Sequence, residues 1–240
     1  MAGTRLLRIL ARLVSGGPDL GTAWLCDVCA EVTEVNGAGI MLMSGDLPHG
    51  SVGSSDLVSA LIEQLQYDLG EGPCIDAYRQ DRPMIEPDLA NPATPRWLAF
   101  TGPTVEAGAR AVFGFPVQVG AVRLGALNLY RDRVGPLTDD QHADALVMAD
   151  VVAHSILMLQ ASAPPGTVAA ELESGADFRY VVHQATGMVA AQLEISVSQA
   201  LIRLRAYAFA KDRPLTEVAQ DVVARKLRLD ETNDDRDDRL

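Results

Sequence analysis

The stretch FGFPVQVGAVRLGALNLYR, residues 113–131, decides the fold of the first two-thirds of the chain. It covers most of two β-rich runs, 111–119 and 121–130, which are separated at Gly120. Two such runs with a glycine between them are typical of an antiparallel hairpin. Valines and leucines along both runs are available to line a core. The segment therefore predicts two paired strands, with one side of the pair in the hydrophobic core.

Helices are predicted on both sides of this hairpin. Residues 138–141 (TDDQ) fit a capping box, in which the Thr and Gln side chains satisfy the first backbone N–H groups, so a helix is predicted from there to about Leu159. Residues 38–43 (AGIMLM) read as a short buried strand. A further helix is predicted over 56–67, running into the turn-rich loop GEGPC (70–74). The apolar stripe predicted for this helix consists of Leu57, Ala60, Leu61 and Leu65.

Strands flanked by helices indicate an α+β domain with an antiparallel sheet. The rest of the chain has a different sequence pattern. Residues 177–229 predict an all-α unit of three helices, because Ser196-x-x-Gln199 is a second capping box and Pro214 suits the first turn of a third helix. Adjacent prolines stop a helix, so Pro164-Pro165 places a linker over 161–176. The predicted division is 1–160, 161–176, 177–229 and an acidic, disordered tail over 230–240.

Charge is distributed unevenly along the 240 residues, of which 48% are hydrophobic. This composition excludes a disordered chain, a collagen and a disulfide scaffold. The net charge of −12 for the whole chain argues against a nucleic-acid partner. Residues 177–229, however, contain eight basic and five acidic residues, a net charge of +3. A local excess of basic residues is what phosphate binding requires, whatever the total charge.

The chain has no convincing export or membrane segment. Its nearly apolar stretches are broken by charges before the roughly 20 residues that a spanning helix needs. At the N-terminus, Arg5, Arg8 and Arg12 alternate with apolar residues, which is typical of an amphipathic helix and not of a signal peptide. The odd number of cysteines, 3, does not suggest a secreted disulfide framework. We expect a cytoplasmic protein with no membrane partner.

Residues of about 4–160 resemble a GAF domain, a small-molecule sensory fold. The resemblance is carried by the N-terminal helix, the GEGPC loop, the hairpin over 113–131 and the closing segment LTDDQHADALVMADVVAHSI (137–156). It implies an α+β sensory domain that binds a small molecule. No motif identifies a cofactor, so the ligand stays unknown.

Residues 177–227 resemble an ANTAR domain, the three-helix RNA-binding module of bacterial transcription antiterminators. Ala185-Thr186-Gly187-Met188 matches the Ala-x-Gly-Met core of that family. The sequence departs from the family at Thr186, where lysine is frequent, so either this lysine is not essential or other residues help to hold the RNA. The residues assigned to the helical core are Ala185, Met188, Ala200, Leu204, Ala208, Leu215 and Ala219.

Cations and polar groups of this segment are the candidates for contact with RNA, because cations hold the phosphate backbone and polar groups read unpaired bases. Arg203 and Arg205 are two positions apart and cannot share one face of a helix, so one is expected to face solvent or RNA and the other to make an intramolecular contact. The predicted RNA-contact residues are Gln184, Thr186, Gly187, Arg203, Arg205, Lys211 and Arg213.

The three cysteines are the remaining candidates for chemistry. Cys26 and Cys29 form a C-x-x-C pair in a helical stretch without further zinc ligands, which favours core packing. Cys74 is predicted on the GEGPC loop and is the candidate redox thiol, because some GAF-fold proteins reduce free methionine sulfoxide with loop cysteines. No phosphate-binding loop, nucleophile elbow or zinc-protease motif occurs in the sequence. We therefore assign no catalytic residue and no metal ligand, and do not expect an enzyme.

The two resemblances imply a signal-responsive transcription antitermination regulator. The GAF domain would sense a signal, and the ANTAR domain would bind paired stem-loops in a nascent leader transcript. Paired stem-loops imply two RNA-binding domains and hence a homodimer, with a predicted dimer surface made by the helices over 138–159 and 6–14. Three alternatives stay open: a DNA-binding regulator that uses the same helices, a thiol reductase of free methionine sulfoxide, and a sensor that has lost RNA binding.

Overall fold

The protein was analysed as a computed structural model, which describes residues 2–16, 21–45, 47–164, 169, 172 and 177–229. The chain divides into two compact units, Met1–Ala176 and Asp177–Leu240. Most of the predicted linker and the whole acidic tail lie outside the described residues. The elements of the first unit are α1 (Ala2–Val14), α2 (Thr22–Thr33), β1 (Gly37–Ser44), β2 (Leu47–Ser54), α3 (Leu57–Leu69), α4 (Pro73–Gln80), β3 (Met84–Glu86), α5 (Leu98–Glu106), β4 (Ala111–Val119), β5 (Val122–Arg131) and α6 (Asp139–Ser162).

The first unit is built on a five-stranded antiparallel sheet in the order β2-β1-β5-β4-β3. The hairpin of β4 and β5 is confirmed, and its register pairs Phe113 with Leu129 and Phe115 with Leu127. These four side chains are fully buried and belong to the main core cluster, to which α2 and α6 also contribute. The opposite side of the sheet faces α3 and α4, because Gly39 lies against the Glu63 side chain and Gly114 against the backbone of Pro73.

The capping box at the start of α6 is confirmed. The Thr138 hydroxyl accepts a hydrogen bond from the Gln141 N–H (3.2 Å), and Gln141 Oε1 accepts one from the Thr138 N–H (3.0 Å). Among the described helices, α6 alone is long and apolar enough to cross a membrane by length and composition. Met148 and Val152 on this helix are fully buried in the main core. The core helix of a soluble domain can have the same length and composition as a membrane-spanning helix.

The N-terminal helix α1 is held on the first unit by ion pairs. Asp144 on α6 has a side chain only 6% exposed, and it accepts hydrogen bonds from Arg5 (2.7 Å) and Arg8 (2.6 Å). Ile9 of α1 is fully buried in the main core. The amphipathic helix predicted from the sequence thus places its inward residues on α2 and α6 of the same chain.

The GEGPC segment is a helix start, and the prediction of a loop across it was wrong at its C-terminal end. Gly72 adopts a φ of 132°, which favours glycine, and Pro73 occupies the first position of α4, where its missing N–H is tolerated. The Glu71 carboxylate accepts hydrogen bonds from the N–H groups of Ala99 (2.6 Å) and Phe100 (2.8 Å). Glu71 therefore caps α5, a helix that the sequence did not reveal.

The buried face of α3 also differs from the prediction. Leu57 is 89% exposed and Leu61 is 41% exposed, although both belong to the predicted apolar stripe. The helix instead buries Glu63 (1% exposed) and Gln66 (0%) on the side that faces the sheet. The apolar spacing identified the helix correctly but not its orientation.

The second unit contains three described helices, and the three-helix prediction is confirmed there. The Ser196 capping box is present, with the Ser196 hydroxyl accepting from the Gln199 N–H at 3.2 Å. Of the residues assigned to its core, Met188 is half-buried, and Ala185, Ala200, Leu204, Ala208, Leu215 and Ala219 are buried. The helices are α7 (Asp177–Leu193), α8 (Val197–Ala210) and α9 (Leu215–Val223).

Candidate functional site

The RNA-contact candidates on α7 separate into surface and core positions. Gln184 and Gly187 are exposed. Thr186 is only 2% exposed, and its hydroxyl donates a hydrogen bond to the Val182 carbonyl at 2.7 Å. A Thr186 side chain engaged in this way is not available for direct contact with RNA, so the interpretation of Thr186 as a contact residue is corrected here. The departure from lysine at this position occurs at a buried site.

Gly187 has no packing reason to be glycine. A Cβ atom built there meets no heavy atom within 4 Å, and the residue lies in the middle of a helix without positive φ. Glycine in a helix interior costs about 0.5–1 kcal/mol relative to alanine. In the described part of the second unit the space beside Gly187 is therefore open.

The candidate cations have different surroundings. Arg203 on α8 is exposed and makes no ion pair or hydrogen bond with the described residues. Arg205 is half-buried, and Lys211 is exposed at the C-cap of α8. Arg203 and Arg205 therefore do point to different environments, as their spacing predicts.

Arg213 is committed to an intramolecular contact. Its guanidinium lies 2.7 Å from the Asp221 carboxylate and 3.9 Å from that of Glu217, both on α9. The hydrogen bond to Asp221 raises the pKa of Arg213 above its ordinary value. This ion pair ties the turn between α8 and α9 to the second turn of α9, which is a structural role.

Four exposed side chains of the second unit were not selected from the sequence. Tyr180 is 77% exposed and Phe209 is 67% exposed, so both aromatic faces are open to solvent. Arg225 and Lys226 are exposed just beyond the end of α9. A helical projection places Tyr180 four residues before Gln184 and seven before Gly187, on one stripe of α7, and this periodicity is the signal that would have found it.

The cysteines are buried, which corrects the placement of Cys74 on a loop. Cys74 lies in the first turn of α4 with no exposed surface, and burial raises the pKa of its thiol well above the ordinary value. Cys26 and Cys29 are also fully buried in α2, and burial likewise raises the pKa of both thiols. A reactive thiol needs access and a stabilised thiolate, and neither condition holds at Cys74.

One open groove of about 620 Å³ lies between α1, the end of α2 and the start of α6. Its charged groups include both signs, and Arg5 and Arg8 already pair with the carboxylates of Asp140 and Asp144. The lining holds three carboxylates and two guanidiniums, so it does not favour an anionic ligand. It is lined by Thr4, Arg5, Arg8, Val32, Glu34, Thr138, Asp140, Gln141 and Asp144.

The sheet covered by helices on both sides, together with a separate helical unit that exposes cations and aromatics, defines a two-unit class of protein: an α+β domain joined to a small helical module. A model of the GAF domain matches residues 24–156, and a model of the ANTAR domain matches residues 170–223. The chain belongs to the GAF domain family and carries an ANTAR domain after it. This composition fits a signal-sensing regulator, and the ANTAR domain is an RNA-binding domain.

Similar solved structures include a GAF domain of a phosphoenolpyruvate-protein phosphotransferase from Coxiella burnetii, with 16% identity, 66% of this chain and 96% of that chain covered, and a TM-score of 0.48. A domain of a two-component sensor histidine kinase protein from Sinorhizobium meliloti 1021 has 20% identity, coverages of 57% and 90%, and a TM-score of 0.46. A type II free methionine-R-sulfoxide reductase from Thermoplasma acidophilum has 14% identity, coverages of 55% and 87%, and a TM-score of 0.41. A search of curated proteins finds no match. Because these TM-scores are below 0.5, the fold assignment depends on the family match and the sheet topology.

Proposed function

We propose that the protein is a signal-responsive regulator of transcription antitermination in the cytoplasm. In this proposal the GAF domain detects a small molecule, and the ANTAR domain binds paired stem-loops in nascent RNA. The observation that carries the proposal is the ANTAR match, which covers most of the segment with eight basic and five acidic residues in an otherwise acidic chain. We further assign 1–160 to sensing and dimerisation, 161–176 to a linker and 177–229 to RNA binding, with 230–240 as an acidic tail.

The RNA surface that we propose combines three kinds of exposed group on the second unit. Arg203 and Lys211 supply positive charge for the phosphate backbone. Tyr180 offers an aromatic face on which an unpaired base can stack, and Gln184 offers a polar group for base edges. Gly187 lies on the same stripe of α7 and allows the RNA to approach the helix backbone.

Arg203→Ala tests this surface. Because Arg203 has no ion pair among the described residues, its loss is expected to leave the fold intact and to weaken stem-loop binding. Each lost phosphate contact makes the negative slope of log K against the logarithm of the salt concentration shallower by about 0.7–0.9. Arg133→Ala, at an exposed arginine of the first unit, is the matched control and is expected to change neither the affinity nor the slope.

Binding to duplex DNA of the same length, measured at the same salt concentration, tests the DNA-binding alternative. We expect stem-loop RNA to bind more tightly than duplex DNA to the intact protein. Equal or tighter binding of duplex DNA, or equal losses of RNA affinity in Arg203→Ala and Arg133→Ala, contradicts the proposal. A protein that binds neither nucleic acid is the sensor that has lost RNA binding.

A homodimer is the assembly that paired stem-loops require, and the first unit offers an apolar surface for it. Leu7 (69% exposed) and Val14 (73%) lie on the outer side of α1, and Leu157 (41%) and Met158 (74%) are exposed near the end of α6. We propose that this surface packs against its copy in a second chain. A symmetric pair of this kind uses the same patch twice.

Sedimentation equilibrium of wild-type protein, Leu7→Glu and Leu57→Glu tests the dimer. Leu57 is 89% exposed on α3, away from the proposed surface, so Leu57→Glu controls for the added charge. We expect wild type and Leu57→Glu to be dimers and Leu7→Glu to dissociate more readily. A wild-type monomer, with and without RNA, removes the dimer from the proposal.

A further inference from the structure

Helix α3 turns polar side chains toward the sheet. It exposes Leu57 and Leu61, yet Glu63 and Gln66 are buried with 1% and 0% exposure. Burying a carboxylate or an amide is unfavourable unless hydrogen bonds replace those made with water. Ile62 of the same helix is fully buried in an apolar cluster, so α3 buries apolar and polar side chains side by side.

The Glu63 carboxylate lies next to the middle of β5. A Cβ atom at Gly39 would be 2.8 Å from Glu63 Oε1, so this side chain covers the Gly39 backbone directly. Gly39 pairs in register with Asn128 of the neighbouring strand. Paired residues of an antiparallel sheet project to the same face with Cβ atoms about 4.5–5.5 Å apart. Glu63 and Asn128 are thus neighbours on one face of the sheet.

Asn128 is fully buried, and neither its Oδ1 nor its Nδ2 hydrogen-bonds to any protein group in the described ranges. A carboxamide has two donor hydrogens and an acceptor oxygen. Buried side-chain polar atoms in native proteins nearly always have a partner. An amide left without one in the centre of a sheet therefore indicates a partner that the chain itself does not supply.

The start of α4 forms the other side of the same space. Gly114, on the opposite flank of Asn128, faces the Pro73 carbonyl. The Cys74 N–H donates to Gln66 Oε1 at 2.7 Å, and the Cys74 thiol donates to Glu63 Oε1 at 3.9 Å. We call the group Glu63, Gln66, Cys74 and Asn128 the polar chamber. All four residues are at most 1% exposed.

Methionines border the polar chamber and allow it to change shape. Met84 pairs in register with Gly114, and Met41 pairs with Ala126, two residues before Asn128. Both methionines are buried, at 1% and 0% exposure. Unbranched methionine side chains repack more readily than branched ones, so a small molecule can be accommodated here by local rearrangement.

We propose that the polar chamber binds a small molecule that presents an N–H donor beside a carbonyl acceptor, as a primary amide does. Asn128 Nδ2 donates to the carbonyl of the ligand, and Asn128 Oδ1 accepts one of its N–H groups. The Glu63 carboxylate accepts the second N–H and repels a ligand that is itself a carboxylate. This inference rests on the proposed sensory function of the first unit and specifies the chemistry of its ligand.

Three isosteric probes test the chemistry: formamide, formate and formamidinium. Only formamide has both a donor and an acceptor on one planar edge. A molecule of three heavy atoms has a best attainable Kd of about 0.5 mM, so titration to about 100 mM covers weak binding as well. The readout is the side-chain NH₂ signal of Asn128 in asparagine-labelled full-length protein, assigned by its loss in Asn128→Leu. We expect formamide to shift this signal saturably, and formate and formamidinium to shift it much less.

Glu63→Gln provides a second variant that keeps the shape of the side chain. Removing the negative charge is expected to weaken the response to formamide and to allow formate to shift the Asn128 signal, which is a change in preference that a purely structural role would not produce. An Asn128 signal that stays in place up to about 100 mM formamide overturns the proposal. An equal response of wild type to formate and formamide also overturns it.

The same samples separate this inference from the proposed function. Stem-loop RNA affinity without any probe measures the RNA-binding proposal alone. Saturable formamide binding in a protein that does not bind RNA leaves the polar chamber assigned and removes the antitermination proposal. RNA binding without any response at Asn128 leaves the antitermination proposal in place and removes the assignment of the polar chamber.

Discussion

Gly187→Ala is expected to stabilise α7 and at the same time to weaken RNA binding. The added Cβ meets no heavy atom within 4 Å in the protein, so no clash opposes it. Alanine in place of glycine inside an exposed helix stabilises it by about 0.5–1 kcal/mol. That gain slows amide hydrogen exchange in α7 by about two- to fivefold, provided that exchange occurs through opening of the helix.

The effect on RNA has the opposite sign. If RNA lies against the Gly187 backbone, a methyl group there overpacks the contact, which typically costs about 1–3 kcal/mol. Stem-loop affinity is then expected to fall by at least about fivefold. Hydrogen exchange by mass spectrometry measures the first quantity, and binding titration at fixed salt measures the second.

Gly102→Ala is the matched control for this experiment. Gly102 is also exposed within a helix, α5, and a Cβ there likewise meets nothing within 4 Å. Because Pro103 follows and a Cβ on the residue before a proline disfavours the helical conformation, this substitution is not expected to slow exchange; it controls for the effect of an added methyl group on RNA affinity, which should stay unchanged. Faster exchange in Gly187→Ala would refute the packing argument, and unchanged RNA affinity would refute the contact at this position.

Three further predictions concern stability and reactivity. Ser196→Ala removes the hydroxyl that accepts from the Gln199 N–H and is expected to destabilise the second unit by about 1 kcal/mol, measured as a lower urea midpoint; an unchanged midpoint would contradict the capping role. All 3 thiols are expected to react slowly with a thiol reagent in native protein and rapidly in denaturant, and fast native labelling of Cys74 would contradict its burial. Arg12 lowers the pKa of Glu31 from its ordinary 4.5. This ion pair therefore stabilises the fold above about pH 4.5, and its contribution is lost as the pH falls through the lowered pKa. Arg12→Gln should reduce the pH dependence of the free energy of unfolding in that range.

Local signals predicted the parts of the fold that depend on neighbouring residues. The hairpin at Gly120 and the two capping boxes at Thr138 and Ser196 each involve contacts within a few residues, and all three are present. Strand β2 (Leu47–Ser54) was missed because it lies at the sheet edge and contains polar residues and glycines in place of an apolar alternation. Hydrogen bonds to β1 hold β2 in the strand conformation that its own sequence does not indicate.

Orientation of helices was the weaker part of the prediction. The first helix of the second unit buries Thr186 together with Val182, Ala185 and Val189, although Thr186 was predicted to contact RNA. Small residues such as alanine and threonine fit either side of a helix, so spacing alone leaves the angle uncertain by part of a turn. The pairing of Arg213 with Asp221, eight residues later, depends on how two segments meet and is not encoded in either segment alone.

The two arginines of α1 that neutralise Asp144 have a practical consequence for experiments on the isolated GAF domain. The GAF domain match begins at residue 24, after α1 has ended. A shortened protein that starts there would lose Arg5 and Arg8 together and leave a carboxylate that is only 6% exposed without either of these cations. It would also uncover the part of the core that Ile9 closes. Poor solubility of such a fragment would therefore reflect the choice of its first residue, and a fragment that begins at residue 2 is the appropriate one for ligand screening.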